Sequence, residues 1–321
     1  MTGSGPPDRI GLALREPFPW HDFVQVAQTA EEAGYRALFV PEIAGREAFS
    51  TLAGLAAHTE RLLLGTGVVP VHARRLETTA MAATTVQELS KGRFVLGVGA
   101  GPPGRGSLDR VRRHVAALRV AFSGGTAGDP GAAHFRVDLD LGPPPPIWLA
   151  ALGDGMVALA GEIADGVLLN WCTPERVGRA RRLVAEGASR AGRDPEAVTV
   201  AVYVRACIDP EEEVAMAALK EPTGQYASMA HYRRQMEEMG LGGLAAAAAR
   251  AHEEGRPDDV PDDLVRALCV VADGDAGHQR LSAMRGAGAQ LPIVYPVPAR
   301  EPVSSAMGTM LALAPSPILQ P

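Results

Sequence analysis

The chain has few cysteines, no surplus of positive charge and no long apolar run, and each shortage removes a class of function. Cys172, Cys207 and Cys269 stand far apart in 321 residues, with no Cys-x-x-Cys or Cys/His spacing, so neither a disulfide framework nor a structural zinc site is expected. Buried free thiols are the expectation. With 31 Lys plus Arg against 37 Asp plus Glu, the formal charge is -6, which argues against a nucleic-acid footprint or an anionic membrane partner. No apolar run approaches the roughly 18 residues of a membrane helix, and residues 1–8 are Gly, Pro and polar rather than signal-like. A cytoplasmic protein is therefore expected. Nothing resembles a serine or cysteine triad, and no His/Asp/Glu cluster has metal spacing. What is present is 46% hydrophobic and 21% charged residues, the balance of a globular enzyme with a large core.

From residue 10 onward, short β-rich runs alternate with segments of helical periodicity. Candidate strands at 10–14, 37–40, 62–69, 94–98, 147–150, 167–170, 198–207 and 292–297 number eight, the count of an α/β (β/α)8 TIM barrel. Phe23, Val26, Ala27 and Ala30 put an apolar stripe on a first helix that Gly34 ends. Thr173-Pro174-Glu175 is an N-cap with proline at the first helical position. Two stretches break the rhythm. Residues 123–141, rich in Gly, Ala and Asp, lead into Pro143–Pro146 and read as a surface loop. Residues 215–272 read as a helical insertion between the seventh and eighth strands. A closing helix over 303–314 and a frayed tail over 315–321 complete a single domain spanning 1–321.

In a parallel βα architecture the residues following each strand carry the chemistry. Pro41-Glu42 and Gly45-Arg46-Glu47 follow the second strand, and residues 65–74, with His72 and Arg74, close the third. Gly97, Gly99 and Gly101 follow the fourth, where missing Cβ atoms let backbone approach a flat or anionic ligand. Residues 150–155 run from the fifth strand into a helix whose free N–H groups could hold phosphate. Gly99, Gly101 and Gly104 also satisfy the dinucleotide spacing G-x-G-x-x-G. Pro102 and Pro103 remove the amides that should face a pyrophosphate there, and the motif sits at the fourth unit rather than the first.

Several blocks of the chain, AEEAGYRALFVPE (30–42), GREAF (45–49), ELSKGRFVLGVGAG (88–101) and PIWLAALGDGMVALAGEIADGVLLNW (146–171), resemble the bacterial luciferase-like superfamily. Within it, the likeness is to the actinobacterial branch of deazaflavin-dependent oxidoreductases. The resemblance implies a TIM barrel with an insertion near the seventh strand, binding FMN or coenzyme F-420 (8-hydroxy-5-deazaflavin) at the carboxyl end. It implies a non-prolyl cis peptide at Gly67-Val68, and Thr66, Gly67 and Val68 behind the cofactor ring. It further implies Gly99, Ala100 and Gly101 along the ring edge, Ala151, Leu152, Gly153, Asp154, Gly155 and Met156 at the phosphate end, and Asn170 and Trp171 completing the wall.

Two departures stand out. Members of the branch carry a Pro-Lys pair where this chain has Asp154-Gly155, so a cationic phosphate contact is missing; Asp154 is expected to cap its helix while main-chain donors hold the phosphate. The loop after the fourth strand lacks a Trp-His-Gly type segment, which opens the substrate side. Hydride transfer to a C=C, C=N or C=O bond needs a proton donor. Glu42 is the first candidate, with a structural pairing to Arg46 or Arg74 as its alternative. His72 is the second, while Glu47 suits the start of the second helix, and His231, His252 and His278 suit solvated helix faces. The expectation is an F-420-dependent oxidoreductase of a natural-product tailoring pathway, acting on a small-molecule or modified-peptide substrate as a homodimer. The alternatives are an FMN-dependent monooxygenase and a cofactor-free binding or regulatory barrel.

Overall fold

A computed structural model describes residues 9–15, 18–101, 104, 106–127, 135–139 and 142–315. The strands are β1 (Gly11–Ala13), β2 (Ala37–Val40), β3 (Leu63–Thr66), β4 (Val69–Pro70), β5 (Phe94–Gly99), β6 (Ile147–Ala150), β7 (Gly166–Leu169), β8 (Thr199–Cys207), β9 (Val270–Val271) and β10 (Leu291–Pro296). The helices are α1 (Trp20–Glu32), α2 (Ala48–Ala56), α3 (Leu76–Leu89), α4 (Ser107–Phe122), α5 (Asp154–Ile163), α6 (Pro174–Arg190), α7 (Glu212–Ser228), α8 (Ala230–Glu238), α9 (Gly242–Glu253), α10 (Asp262–Leu268), α11 (Gly274–Gly286) and α12 (Pro302–Ala312). Sheet order runs β1-β2-β3-β5-β6-β7-β8, and β10 pairs with both β8 and β1. That ring of eight parallel strands is the topology of a (β/α)8 barrel, as the strand count predicts.

The chain divides into two compact units. One holds the described residues through Arg36, Leu169–Arg181 and those from Ala201 on; the other holds Ala37–Leu168 and Arg182–Val200. In the second unit, aromatic rings fill space that glycines leave open. A Cβ on Gly65 would lie 2.3 Å from the Phe39 ring, and one on Gly166 would lie 2.7 Å from the Trp148 ring. Those two rings meet at 5.5 Å, so large and small residues on neighbouring strands interlock. The same logic sets helix against helix. A Cβ on Gly187 of α6 would lie 2.0 Å from the Ala158 carbonyl of α5.

In the first unit, Phe23, Val26, Ala27 and Ala30 are the buried face of α1, and Gly34 turns the chain at φ +88°. Tyr35 then donates from its hydroxyl to the Met310 carbonyl at 2.7 Å. The Thr173 cap forms, its Oγ1 accepting from Arg176 N at 3.4 Å. Helices α7 to α10 lie between the seventh and eighth barrel strands. The helical segment starts earlier than residue 215 and ends in β9, whose Val270 and Val271 pair with Ala206 and Cys207. That two-residue strand is too short to show a period of its own.

Two other expectations are corrected. Residues 62–69 form two strands, because the ladder breaks at Gly67 and Val68 before Val69 re-pairs with Val98. His231, His252 and His278 are half-buried rather than solvated; His278 Nε2 lies 3.1 Å from the Ala312 carbonyl. Parts of the 123–141 loop and residues 316–321 of the tail lie outside the described residues, as do Pro102, Pro103 and Arg105 of the glycine motif.

All three cysteines are buried and unpaired. Burial pushes the thiols of Cys172 and Cys207 from 9.0 up to about 12 and that of Cys269 up to about 11. The folded protein is therefore expected to resist a thiol reagent at pH 8, with three thiols reacting after denaturation; rapid reaction of any one in the native state would contradict this burial. The raised values make the thiols' contribution to stability complete below pH 9.0, and it is lost as pH rises from there toward the folded values.

Candidate active site

The second unit gathers most of the predicted site residues. Where β3 ends, Thr66 takes over as a strand partner: its Oγ1 donates to the Gly97 carbonyl at 2.8 Å and accepts from Gly97 N at 2.7 Å. A buried hydroxyl here satisfies both main-chain groups at the point where the ladder opens. Gly67 N donates to the Val40 carbonyl at 2.8 Å, fixing the break against β2. The Gly67-Val68 peptide is trans, since the described residues contain no cis bond.

The glycines after β5 have a different reason from the one their sequence suggests. A Cβ on Gly97 would sit 2.1 Å from the Thr66 carbonyl, one on Gly99 3.0 Å from Val68 Cγ2, and one on Gly101 1.9 Å from His72 Nδ1. The space over this glycine row is thus filled by the chain's own Thr66, Val68 and His72. His72 itself is exposed, and its ring rests on Gly101.

Glu42 is a latch. Arg74 donates to it twice, Nε to Oε1 at 2.8 Å and Nη2 to Oε2 at 2.6 Å, and Ala48 N donates to Oε2 at 3.1 Å. Arg74 also bonds Glu47 and lies 5.0 Å over the Phe49 ring. The hydrogen bond to Glu42 leads in raising the Arg74 pKa. Glu47 caps α2 as expected, accepting from Phe49 N and Ser50 N. Burial works to raise its pKa, but these bonds and the Arg74 charge outweigh it and hold the carboxyl low. Both Glu42 oxygens are thus engaged by donors. His72 is an exposed titratable group beside Gly101.

At the other predicted end, β6 leads through Ala151 and Leu152 to Gly153, which caps α5 with its carbonyl. Asp154 is therefore the first residue of the helix and not its cap. Met156 N and Val157 N donate to the Gly153 carbonyl at 3.0 and 3.1 Å, and nothing stands within 4 Å of where a Gly153 Cβ would be. A Gly155 Cβ would meet Leu108 of α4 at 3.4 Å, so the starts of the two helices are neighbours. Arg110, one turn into α4, reaches the Ala100 carbonyl and Ser107 Oγ with Nη2 at 3.5 and 3.3 Å, while its Nε is buried without a partner. Sequence reading missed Arg110, which lies in a helix beyond the motif it serves.

Asn170 and Trp171 belong to the first unit. Asn170 Oδ1 accepts from Arg205 Nη1 at 2.7 Å and its Nδ2 donates to the Tyr232 hydroxyl at 2.9 Å. Trp171 is 1% exposed and packs among the α7–α10 core. Arg205 also escaped the sequence reading, although an arginine inside the run VAVYVRAC was a visible signal. Among the described residues no three His, Cys, Asp or Glu side chains gather as a metal site, and no helix is long and apolar enough to cross a membrane.

This arrangement has relatives. Residues 3–291 match the luciferase-like monooxygenase family model, so the chain belongs to that family and is an enzyme of it. A Mycobacterium tuberculosis protein named "Putative coenzyme F420-dependent oxidoreductase" is 27% identical over 86% of this chain and 91% of its own. The 5,10-methylenetetrahydromethanopterin reductase of Methanolobus tindarius is 32% identical over 60% and 62%. Among solved structures, the coenzyme F420-dependent tetrahydromethanopterin reductase of Methanopyrus kandleri superposes with a TM-score of 0.79 at 20% identity, covering 96% of this chain and 98% of that one. An FMN-bound Baeyer-Villiger monooxygenase component from Pseudomonas putida gives 0.70 at 16% identity, covering 95% and 96%. At such identities these two likenesses speak for the fold.

Proposed function

We propose that this enzyme is an oxidoreductase that uses coenzyme F-420, with hydride passing between the reduced deazaflavin and an unsaturated C=C, C=N or C=O bond. The observation that carries the proposal is the pairing of an open helix start with a half-buried cation whose Nε lacks a partner, in one unit. Gly153 leaves open space at the head of α5, and a helix N-terminus favours an anion. Arg110 Nε lacks a partner and belongs to the helix whose Leu108 packs on Gly155. Arg110 supplies the positive charge that the Asp154-Gly155 pair removes from the family pattern, and an anionic phosphate fits that set of donors. The Mycobacterium tuberculosis relative named for F420 supports the same reading over 86% of the chain.

When bound, the deazaflavin supplies the hydride and the protein supplies the rest. Thr66, Gly67 and Val68, braced on Gly97 and Gly99, would back the ring, Ala100 and Gly101 would border it, and residues 151–156 with Arg110 would hold the phosphate. His72 takes the proton-donor role in place of Glu42, whose carboxylate is committed to Arg74. We place the whole chain in one catalytic domain, acting in the cytoplasm on a small organic molecule as a homodimer, with natural-product tailoring as the role.

The test is anaerobic mixing of reduced coenzyme F-420, the protein and a panel of enones, imines and ketones, following the return of the oxidised deazaflavin's visible band. The expected result is acceptor-dependent oxidation without dioxygen, slowed about 100-fold by His72→Gln. Turnover that runs only with reduced FMN and dioxygen would replace this reading with the monooxygenase.

A further inference from the structure

A buried arginine without a carboxylate stands at the carboxyl ends of β8 and β10. Arg205 is 4% exposed and is the direct register partner of Tyr295 on the neighbouring strand. Its guanidinium carbon lies 3.9 Å from the centre of the Trp171 ring, 4.7 Å from Tyr295 and 4.8 Å from Tyr226. Among the described residues the guanidinium makes one hydrogen bond, to Asn170 Oδ1 at 2.7 Å, and has no Asp or Glu partner. Five N–H donors with one acceptor leave a charge whose hydrogen bonding is unfinished.

A second donor lies in the same cluster. Trp171 Nε1 is buried with no hydrogen-bond partner, in a residue held at φ 54°, a left-handed conformation that a bulky side chain rarely adopts. Neighbouring groups lock both donors in place. Gln235 Nε2 donates to the carbonyls of Asn170 and Trp171 at 2.8 Å each, and Tyr232 fixes the Asn170 amide. Aromatic faces ease the burial of a cation, but they accept none of its N–H bonds in the way a carboxylate does. Packing alone would be served by an apolar side chain at position 205, which would bury no charge.

We infer that Arg205, with the Trp171 indole N–H beside it, is an anion-recognition site for the carboxylate of a small planar organic acid. As the substrate class of a hydride-transfer enzyme, this rests on the function proposed above. The flat guanidinium presents paired donors to a planar carboxylate, and the rings of Trp171, Tyr226 and Tyr295 suit a conjugated acid better than a tetrahedral phosphate.

The test follows the three indole N–H signals, one for each tryptophan of the chain, in ¹H–¹⁵N spectra of the full-length protein. Trp171→Phe assigns the signal of interest. Sodium benzoate is expected to shift it saturably, with benzamide and inorganic phosphate roughly 10- to 100-fold weaker. Arg205→Met should abolish the benzoate shift and Arg205→Lys should weaken it about 10-fold; if the methionine variant does not fold, the lysine variant decides. Benzoate binding no tighter than benzamide or phosphate, no shift with benzoate, or wild-type affinity in Arg205→Lys overturns the inference. Coenzyme F-420 binding is read in parallel by its fluorescence. Loss of the deazaflavin signal with benzoate binding intact removes the functional proposal and leaves the anion site standing, and the converse removes the anion site alone.

Discussion

Gly97→Ala is expected to cost about 3 kcal/mol of stability and to remove cofactor binding in the same step. The added methyl carbon would lie 2.1 Å from the Thr66 carbonyl oxygen, with Val68 Cγ1 at 3.1 Å and Leu168 Cδ1 at 3.2 Å behind it. A flexible side chain could swing away, but the first contact is backbone. Thr66 is held on the same residue by two short hydrogen bonds, so relieving the clash means prising β3 from β5. The segment that would then move, Thr66 to Val68, is the one proposed to back the deazaflavin. Gly243→Ala provides the control, because a Cβ there meets nothing within 4 Å and alanine favours a helix; it should be neutral or stabilising by up to about 1 kcal/mol. Urea midpoints of the two variants make the comparison. Equal midpoints would show that the Gly97 packing does not hold in solution.

Arg74→Met should destabilise the protein by about 2 kcal/mol, less than a fully buried pair would cost because both partners keep some water. The Arg74 and Glu42 side chains are 17% and 19% exposed. Removing the guanidinium leaves the carboxylates of Glu42 and Glu47 facing each other without their shared cation. Glu47, whose helix-capping bonds and the Arg74 charge together hold its carboxyl low, then loses the arginine's share of that shift. The sign follows: the variant falls short of wild type above about pH 5, and the gap narrows as pH drops through the carboxylate range near 4. Adding Glu42→Gln to Arg74→Met should recover part of the loss, since the stranded charge is gone. A gap independent of pH would mean that the arginine acts by packing on Phe49 and not by charge.

Much of this architecture was legible in the sequence. Eight short apolar runs, a glycine stop at Gly34 and a Thr-Pro start at residue 173 each have a local cause, and local causes survive into the fold. The site was legible in part. The motifs located the strand ends correctly, yet the reason for Gly97, Gly99 and Gly101 was hidden, because the atoms that need the space come from residues 66 to 72. Glu42 looked like a proton donor because sequence does not show which arginine it meets. Arg110 and Arg205 were passed over for the same reason: each matters through unpaired donors, and only three-dimensional neighbours reveal that a buried donor has no partner.

The central claim is that the chain binds a deazaflavin at the residue 66–101 and 151–156 segments. The most direct measurement is a titration of chromophore-free protein with coenzyme F-420 and, separately, with FMN, read by fluorescence and by the rise in melting temperature. The account predicts micromolar binding of coenzyme F-420 with clear stabilisation, a weaker response to FMN, and loss of the F-420 response in Arg110→Met. Tighter binding of FMN, or no binding of either, would contradict it.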